Sequence, residues 1–109
     1  MMAFVFVANS ADLQEAATLP VMIGREEVLL CRYNGTVFGV HNYCSHMVHN
    51  LTGGRIRRGQ IVCPVHGARF DLATGAVCGK PAILPIRTYK VRELDGKIEV
   101  WAENDTASV

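Results

Sequence analysis

The sequence predicts an all-β protein with a small metal-binding lobe inserted between its base strands. Three observations favour this fold class. Turn dipeptides lie between β-forming runs, no segment shows ten residues of helical periodicity, and two short segments in the middle of the chain pair cysteine with histidine. The 109 residues, half of them apolar, suffice for one domain that buries roughly 65% of its extended-chain surface.

The first base strands are predicted from alternation and turn chemistry. Val5 and Val7 alternate with less constrained positions and indicate a first strand. Residues 27–33 and 36–41 flank Asn34-Gly35, and this dipeptide is a strong hairpin signal because both of its positions accept a positive φ. Residues 12–17 could form one helical turn.

The end of the chain predicts a second hairpin. Residues 89–94 and 97–101 flank Asp95-Gly96, which has the same turn chemistry. Residues 102–109 are polar and carry no pattern, so we expect a flexible tail there. A single domain over residues 1–101 follows from this division.

The predicted lobe covers about residues 41–84. Ile61-Val62 leads directly into Cys63, so a ligand segment begins where a strand ends. Residues 68–72 precede Thr74-Gly75, which indicates another turn.

Two ligand segments carry most of the chemistry. The first is Cys44-Ser45-His46 and the second is Cys63-Pro64-Val65-His66, with sixteen residues between His46 and Cys63. Together they offer two thiolates and two imidazoles, a set that narrows the cofactor to zinc or an iron–sulfur cluster. Neither segment completes four ligands alone, so the site requires both to converge. Gly67 would permit a positive φ directly after the second segment.

The charge is spread unevenly. Residues 41–84 hold five basic residues against Asp71, a balance of +4, and the rest of the chain holds six basic and nine acidic residues, a balance of −3. This asymmetry suggests docking on an acidic surface, although an ordinary solvated face would look the same. The candidate docking residues are Arg55, Arg57, Arg58, Arg69 and Lys80.

Several function classes are disfavoured. The basic excess is small and carries no interleaved aromatic residues, so we expect no nucleic-acid partner. No apolar run approaches the ~20 residues of a membrane-spanning helix, and we expect no membrane association. The start of the chain reads as a strand and not as a signal peptide, and we expect a cytoplasmic protein in which reducing conditions favour metal binding.

The ligand segments and their surroundings resemble the Rieske [2Fe–2S] family. The resemblance covers residues 30–101 in order. Its short motifs are Cys44-Ser45-His46, Cys63-Pro64-Val65-His66-Gly67, Phe70-Asp71, Gly75, Gly79-Lys80-Pro81-Ala82, Pro85-Ile86 and Tyr89-Lys90-Val91. The chain length favours the small ferredoxins that serve bacterial aromatic-ring-hydroxylating dioxygenases.

This resemblance implies a Rieske-like antiparallel β-sandwich base and one [2Fe–2S] Rieske cluster. Cys44 and Cys63 would bind the inner iron, and His46 and His66 the outer iron. Residues expected around the cluster are Gly67, Ala68, Phe70 and Pro81. Ligation by imidazole raises the reduction potential of such clusters to a window of about −150 to +300 mV.

Two departures from the high-potential respiratory members place this chain low in that window. His49 and Val65 stand where those proteins have a cysteine pair, so no disulfide can cross the cluster. Ala68 and Phe70 stand where those proteins place Ser and Tyr hydroxyl donors. Because lost donors leave more negative charge on sulfur, we expect a potential on the order of −150 mV.

The resemblance implies an electron carrier and not an enzyme. We expect a monomer that passes single electrons from an NAD(P)H-linked flavoprotein reductase to a terminal Rieske non-haem iron oxygenase that hydroxylates aromatic compounds. Two alternatives remain open at this point. One is a structural zinc module, and the other is a small Rieske subunit of a reductase such as assimilatory nitrite reductase.

The remaining candidate residues are assigned to the fold. We expect His41 and His49 to be loop or surface histidines, because the four-ligand site is already complete. Cys31 and Cys78 are expected to be small buried hydrophobes, with Cys78 in a loop, and Trp101 is expected in the core.

Overall fold

The computed structural model describes residues 2–44, 50–65, 67–79 and 84–103, and within them the protein is almost entirely β-sheet. The all-β prediction is confirmed. The strands are β1 (Met2–Asn9), β2 (Thr18–Ile23), β3 (Glu26–Tyr33), β4 (Thr36–His41), β5 (Arg55–Arg57), β6 (Gln60–Val62), β7 (Arg69–Asp71), β8 (Val77–Gly79), β9 (Thr88–Tyr89), β10 (Val91–Leu94) and β11 (Lys97–Glu103). Among the described residues the only helix is a three-residue 3-10 turn, so no helix there is long enough to cross a membrane.

The strands form three antiparallel sheets. The outer base sheet has the order β1-β11-β10, the central sheet β2-β3-β4-β9, and the lobe sheet β5-β6-β7-β8. All strands of the lobe sheet lie between β4 and β9 in the sequence. The predicted insertion of a lobe into an antiparallel base is therefore observed.

Strand β3 is buried on both faces, which makes the central sheet the middle layer. Val28 and Leu30 point into the core shared with the outer base sheet. Leu29 and Cys31 point the other way, into the core shared with the lobe. All four are 0% exposed. Since successive strand residues face opposite sides, this run of four apolar residues joins both cores through one strand.

Arg32, the next residue of β3, ties the two base sheets together. Its guanidinium donates to both carboxylate oxygens of Glu93, at 3.0 and 2.8 Å, and to the carbonyl oxygen of Leu13 at 2.7 Å. This hydrogen-bonded partner lowers the pKa of Glu93. The bidentate geometry gives the base a fixed polar contact between β3 and β10.

Both predicted hairpin turns are present. Asn34 and Gly35 have φ of 52° and 79°, and Asp95 and Gly96 have φ of 54° and 76°. A third turn of this kind, Arg58-Gly59, joins β5 to β6 with φ of 52° and 77°. The sequence did not predict it, because arginine is not a residue that favours positive φ.

Two element predictions are wrong. The helical turn covers Ser10–Asp12 and not residues 12–17, where Ala16 has a positive φ of 64° that ends right-handed helical geometry. The single strand expected at 89–94 divides at Lys90: β9 pairs with β4 in the central sheet, and β10 pairs with β11 in the outer base sheet. The chain changes sheets there, which local propensity does not reveal.

The end of the chain also departs from expectation. Ala102 pairs with Ala3 and is 7% exposed, and β11 runs to Glu103, so a tail cannot begin at 102. Residues 104–109 lie outside the described residues. Trp101 was expected in the core, but its side chain is 40% exposed. Its ring makes an edge-to-face contact with the ring of Phe4, with 5.0 Å between the ring centroids.

Strand β2 was not predicted from the sequence, and it contains Pro20. Among the strands that the structure describes, β2 lies at the edge of the central sheet next to β3, and Pro20 lies opposite Leu29. Proline is tolerated on an edge, since no further strand needs its missing N–H.

Candidate metal centre

The first ligand segment begins just beyond the end of β4. Asn42 is 2% exposed, and Cys44, two residues later, is fully buried. The side-chain oxygen of Asn42 accepts hydrogen bonds from the backbone N–H groups of Leu51 at 2.8 Å and Thr52 at 3.1 Å. Asn42 therefore joins both ends of the loop that carries Cys44.

The other half of the Asn42 amide is also used. Its nitrogen donates to a carboxylate oxygen of Glu27 at 2.8 Å and to the hydroxyl oxygen of Thr52 at 2.7 Å. A buried side-chain amide is stable only when such bonds are made. Sequence reasoning missed this residue, because a lone Asn beside a strand gives no sign that it will be buried.

The second ligand segment follows β6 and turns back at once. The N–H of Cys63 donates to the carbonyl oxygen of Ala68 at 2.7 Å, and the N–H of Gly67 donates to the carbonyl oxygen of Cys63 at 3.1 Å. Gly67 has a φ of 72°, which is one of the two conformational roles that a glycine was expected to permit there. These two hydrogen bonds fix the backbone of Cys63 at the start of a tight loop and join it to the backbone of Ala68 at the end of that loop.

Gly54 brings the two ligand loops against each other. A side chain at this position would overlap the carbonyl oxygen of Val62 and lie 2.9 Å from that of Leu51. Only glycine leaves room for the end of the first loop to pass so close to β6. The backbone leading into Cys63 is thus packed directly on the loop that carries Cys44.

The two cysteines meet in a single core. Cys44 and Cys63 belong to the cluster of buried residues between the central sheet and the lobe, together with Ala68 and Phe70. The two ligand loops therefore converge as the sequence required. Buried thiol-bearing residues from both loops suit a metal centre that takes two thiolates from the protein.

Five residues that the sequence analysis singled out lie outside the described residues: His46, His49, His66, Lys80 and Pro81. Within the described part of the chain, no group of three or more His, Cys, Asp or Glu side chains is arranged to hold a metal.

The other histidine and cysteine candidates have separate environments. His41 lies at the end of β4 with its Nδ1 3.4 Å from the hydroxyl of Tyr89, which donates to Glu26 at 2.6 Å. Cys31 is buried, and burial raises the pKa of its thiol to about 12. Cys78 is partly exposed and lies in strand β8, so its expected place in a loop and in the interior is wrong.

A family model described as the Rieske [2Fe–2S] domain matches residues 3–90. The chain belongs to the Rieske [2Fe–2S] domain family. The cofactor of this family is a [2Fe–2S] cluster, and the convergence of Cys44 and Cys63 agrees with it.

Curated Rieske proteins and solved Rieske structures resemble the whole domain. The ferredoxin subunit of anthranilate 1,2-dioxygenase from Burkholderia cepacia is 34% identical over 71% of this chain and 71% of its own length. The ferredoxin component of biphenyl 2,3-dioxygenase from Rhodococcus jostii is 32% identical over 84% and 85%. The structure of the carbazole 1,9a-dioxygenase ferredoxin from Nocardioides aromaticivorans superposes with a TM-score of 0.86 at 32% identity, covering 90% and 96%.

Proposed function

We propose that this Rieske protein is the ferredoxin component of an aromatic-ring-hydroxylating dioxygenase system. It accepts one electron at a time from an NAD(P)H-linked flavoprotein reductase and delivers it to a terminal oxygenase. It is an electron carrier and not itself an enzyme. Named relatives at 32–34% identity are ferredoxin parts of such systems.

The observation that carries this proposal is the shared burial of Cys44 and Cys63. One cysteine from each ligand loop lies in the same core, between the central sheet and the lobe. A reducible cluster held there would be shielded from water on its thiolate side. Shielding and ligand type are two of the features that set the potential of such a cluster.

We assign the four proposed ligands to the two iron ions of the cluster. Cys44 and Cys63 would supply the thiolates of one iron, and His46 and His66 the imidazoles of the other. The bound cluster supplies a one-electron reduction at a potential raised by its neutral ligands. The protein contributes the fixed loops that keep both thiolates in place, through Asn42 at the first loop and the bonds of Cys63 at the second.

The surroundings of Cys63 favour a low potential. Ala68 and Phe70 are fully buried beside it, and neither side chain has a hydrogen-bond donor. Sulfur atoms without donors retain more negative charge, which disfavours the reduced state. A reduction potential on the order of −150 mV suits a protein that accepts electrons from a reductase, and it does not suit a protein that oxidises a quinol.

We further propose a monomeric protein in the cytoplasm. Reducing conditions there favour cysteines that bind metal over cysteines in disulfides.

Metal and sulfide analysis of anaerobically purified protein tests the proposal. We expect equal amounts of iron and acid-labile sulfide, visible absorption bands and bleaching by dithionite. Cys44→Ser and His66→Ala should lose the Rieske absorption spectrum. Cys78→Ala is the matched control, because this cysteine is partly exposed in β8 and is not a proposed ligand. A colourless protein that contains zinc would overturn the assignment in favour of the zinc module.

The partners are tested by reconstitution. A terminal oxygenase and its reductase should turn over when this protein is added and should stop when Cys44→Ser replaces it. Co-purification from the native host with a large sirohaem subunit, and no transfer to any oxygenase, would instead indicate a nitrite reductase subunit.

A further inference from the structure

The outward face of the lobe sheet carries arginines in register. Arg55 on β5 lies opposite Val62 on β6, which lies opposite Arg69 on β7, and Arg57 is two residues along β5 from Arg55. Directly opposed residues share a face of the sheet, as do residues two apart on one strand. The alternating residues face the lobe core: Ile56, Ile61 and Phe70.

These arginines lack acidic partners in the described ranges of the chain. Among the described residues, no acidic side chain pairs with Arg55, Arg57 or Arg58. Arginines of the base behave differently, because each of three has its own glutamate. These pairs are Arg32 with Glu93, Arg87 with Glu26 and Arg92 with Glu99. Three of the four arginines of the base are thus paired, and only Arg25 is not, whereas Arg55, Arg57 and Arg58 of the lobe have no acidic partner in the part of the chain that the structure describes.

The single acidic residue on this face is already engaged. Asp71 accepts hydrogen bonds from the backbone N–H groups of Ala73 and Thr74, both at 2.9 Å, and from the Thr74 hydroxyl at 3.2 Å. It therefore closes the turn after β7. Arg55, Arg57 and Arg69 on this face, with Arg58 in the turn between β5 and β6, minus Asp71 leave a balance of +3.

Arg58 occupies a position that arginine does not favour. It has a φ of 52° in the turn between β5 and β6, where Asn or Gly would be less strained. Its side chain is exposed. An arginine at this position adds positive charge at the end of the basic face, where β5 turns into β6.

The basic face reaches the ligand loops. Arg55 lines a groove of about 300 Å³ together with Gly54, Cys63, Pro64 and Gly67. Val62, between Arg55 and Arg69, immediately precedes Cys63. A partner bound on this face would therefore lie beside the proposed cluster.

We propose that the outward face of β5, β6 and β7 docks an acidic surface of a protein redox partner. The positions of these arginines in the sheet determine how far apart the carboxylates of a matching partner would lie. Arg55 and Arg57 are ~7 Å apart along β5, and Arg55 and Arg69 are ~10 Å apart across two strand spacings. This inference rests on the proposed function, because it concerns where the electron partner binds.

Electron transfer to small charged oxidants and inhibition by an acidic polypeptide test the face without a known partner. The reduced holoprotein gives one electron to hexacyanoferrate(III), an anion, or to tris(phenanthroline)cobalt(III), a cation. A triple variant (Arg55→Gln, Arg57→Gln and Arg69→Gln) should lower the rate with the anion about five-fold or more at ~10 mM salt, where charges interact over ~30 Å. The rate with the cation should rise, and poly-L-glutamate should slow the wild type but not the variant.

Two matched variants separate charge at this face from other causes. Arg→Lys at the same three positions keeps the charge and should keep the wild-type rates. Lys97→Gln removes one exposed charge at the turn between β10 and β11, on the outer base sheet, and should change neither rate. Equal rates for the wild type and the triple Gln variant, with an intact visible spectrum in both, would overturn the docking proposal.

Other outcomes also overturn it. A wild type that self-associates at low salt through these arginines would assign the face to a second copy of the chain. Binding of duplex DNA at ~150 mM salt that the triple variant loses would assign it to nucleic acid. A wild type without iron or dithionite bleaching would contradict the proposed function itself, which distinguishes that failure from failure of the docking surface.

Discussion

The side-chain oxygen of Asn42 accepts a hydrogen bond from the backbone N–H of Leu51 at 2.8 Å. Eight residues lie between them in the sequence, and Cys44 is one of these. One buried amide therefore closes the loop that brings a proposed ligand to the cluster. Its position links the end of β4 to the lobe and explains how the first ligand segment is held at the domain core.

Replacing Asn42 with Ala should loosen that loop. The buried N–H of Leu51 and the N–H of Thr52 lose their acceptor, and each unsatisfied group costs roughly 1–3 kcal/mol. We expect the free energy of unfolding to fall by about 2–4 kcal/mol and the cluster to be lost faster. Denaturant titration and the decay of visible absorbance measure the two effects. Thr52→Val, which removes one side-chain acceptor, is the control and should cost less; an equal loss in both variants would contradict the assignment.

Adding hydroxyl donors beside Cys63 should raise the reduction potential. Ala68→Ser and Phe70→Tyr each place a hydroxyl in the buried surroundings of Cys63. If each hydroxyl donates to cluster or ligand sulfur, a net hydrogen bond of about 1 kcal/mol corresponds to roughly 40 mV for one electron. Protein-film voltammetry measures the shift. Ala76→Ser, at an exposed position before β8, is the control, and an unchanged potential in both core variants would refute the donor argument.

Gly54 should tolerate no side chain. In Gly54→Ala the new methyl group would overlap the carbonyl oxygen of Val62, so one of the two ligand loops must move. We expect poor cluster incorporation and a loss of stability of about 2 kcal/mol or more. Gly35→Ala is the matched control, because its φ of 79° is strained but nothing lies within 4 Å of the added methyl group. That variant should lose about 1 kcal/mol and keep its cluster. Full cluster content in Gly54→Ala would show that the loops need no such close approach.

Cys31 should make the protein less stable in alkali. Burial raises the pKa of its thiol from 9.0 to about 12 in the folded state. The unfolded chain releases this proton near pH 9, so the stability is fully present below that pH and is lost as the pH rises toward 12. Urea unfolding of wild type and Cys31→Ala between pH 8 and about 11 tests this. At pH 8 the variant should have a lower free energy of unfolding than the wild type, and this free energy should fall less as the pH rises. Parallel plots of the free energy of unfolding against pH would contradict the prediction. Tyr89, whose pKa is also raised by burial, acts equally on both proteins.

Local sequence signals predicted the elements that depend on neighbouring residues. Asn34-Gly35 and Asp95-Gly96 indicated two hairpins because each dipeptide accepts the positive φ that such turns need. Gly67 indicated the positive φ after the second ligand segment for the same reason. The two Cys and two His residues also narrowed the cofactor to zinc or an iron–sulfur cluster, because ligand chemistry depends on residue type before it depends on fold.

Contacts between distant segments decided the rest. Lys90 divides one apparent strand between two sheets, and Pro20 lies in an edge strand that was not predicted from the sequence. Asn42 is buried and holds the first ligand loop only because the fold brings Leu51 and Glu27 within hydrogen-bonding distance of its side chain. The sequence alone determined the two hairpin turns at Asn34-Gly35 and Asp95-Gly96 and the ligand types, since these follow from backbone sterics and donor chemistry. Only the tertiary structure decided which faces are buried and which arginines stay unpaired, because burial and pairing depend on residues brought together by the fold.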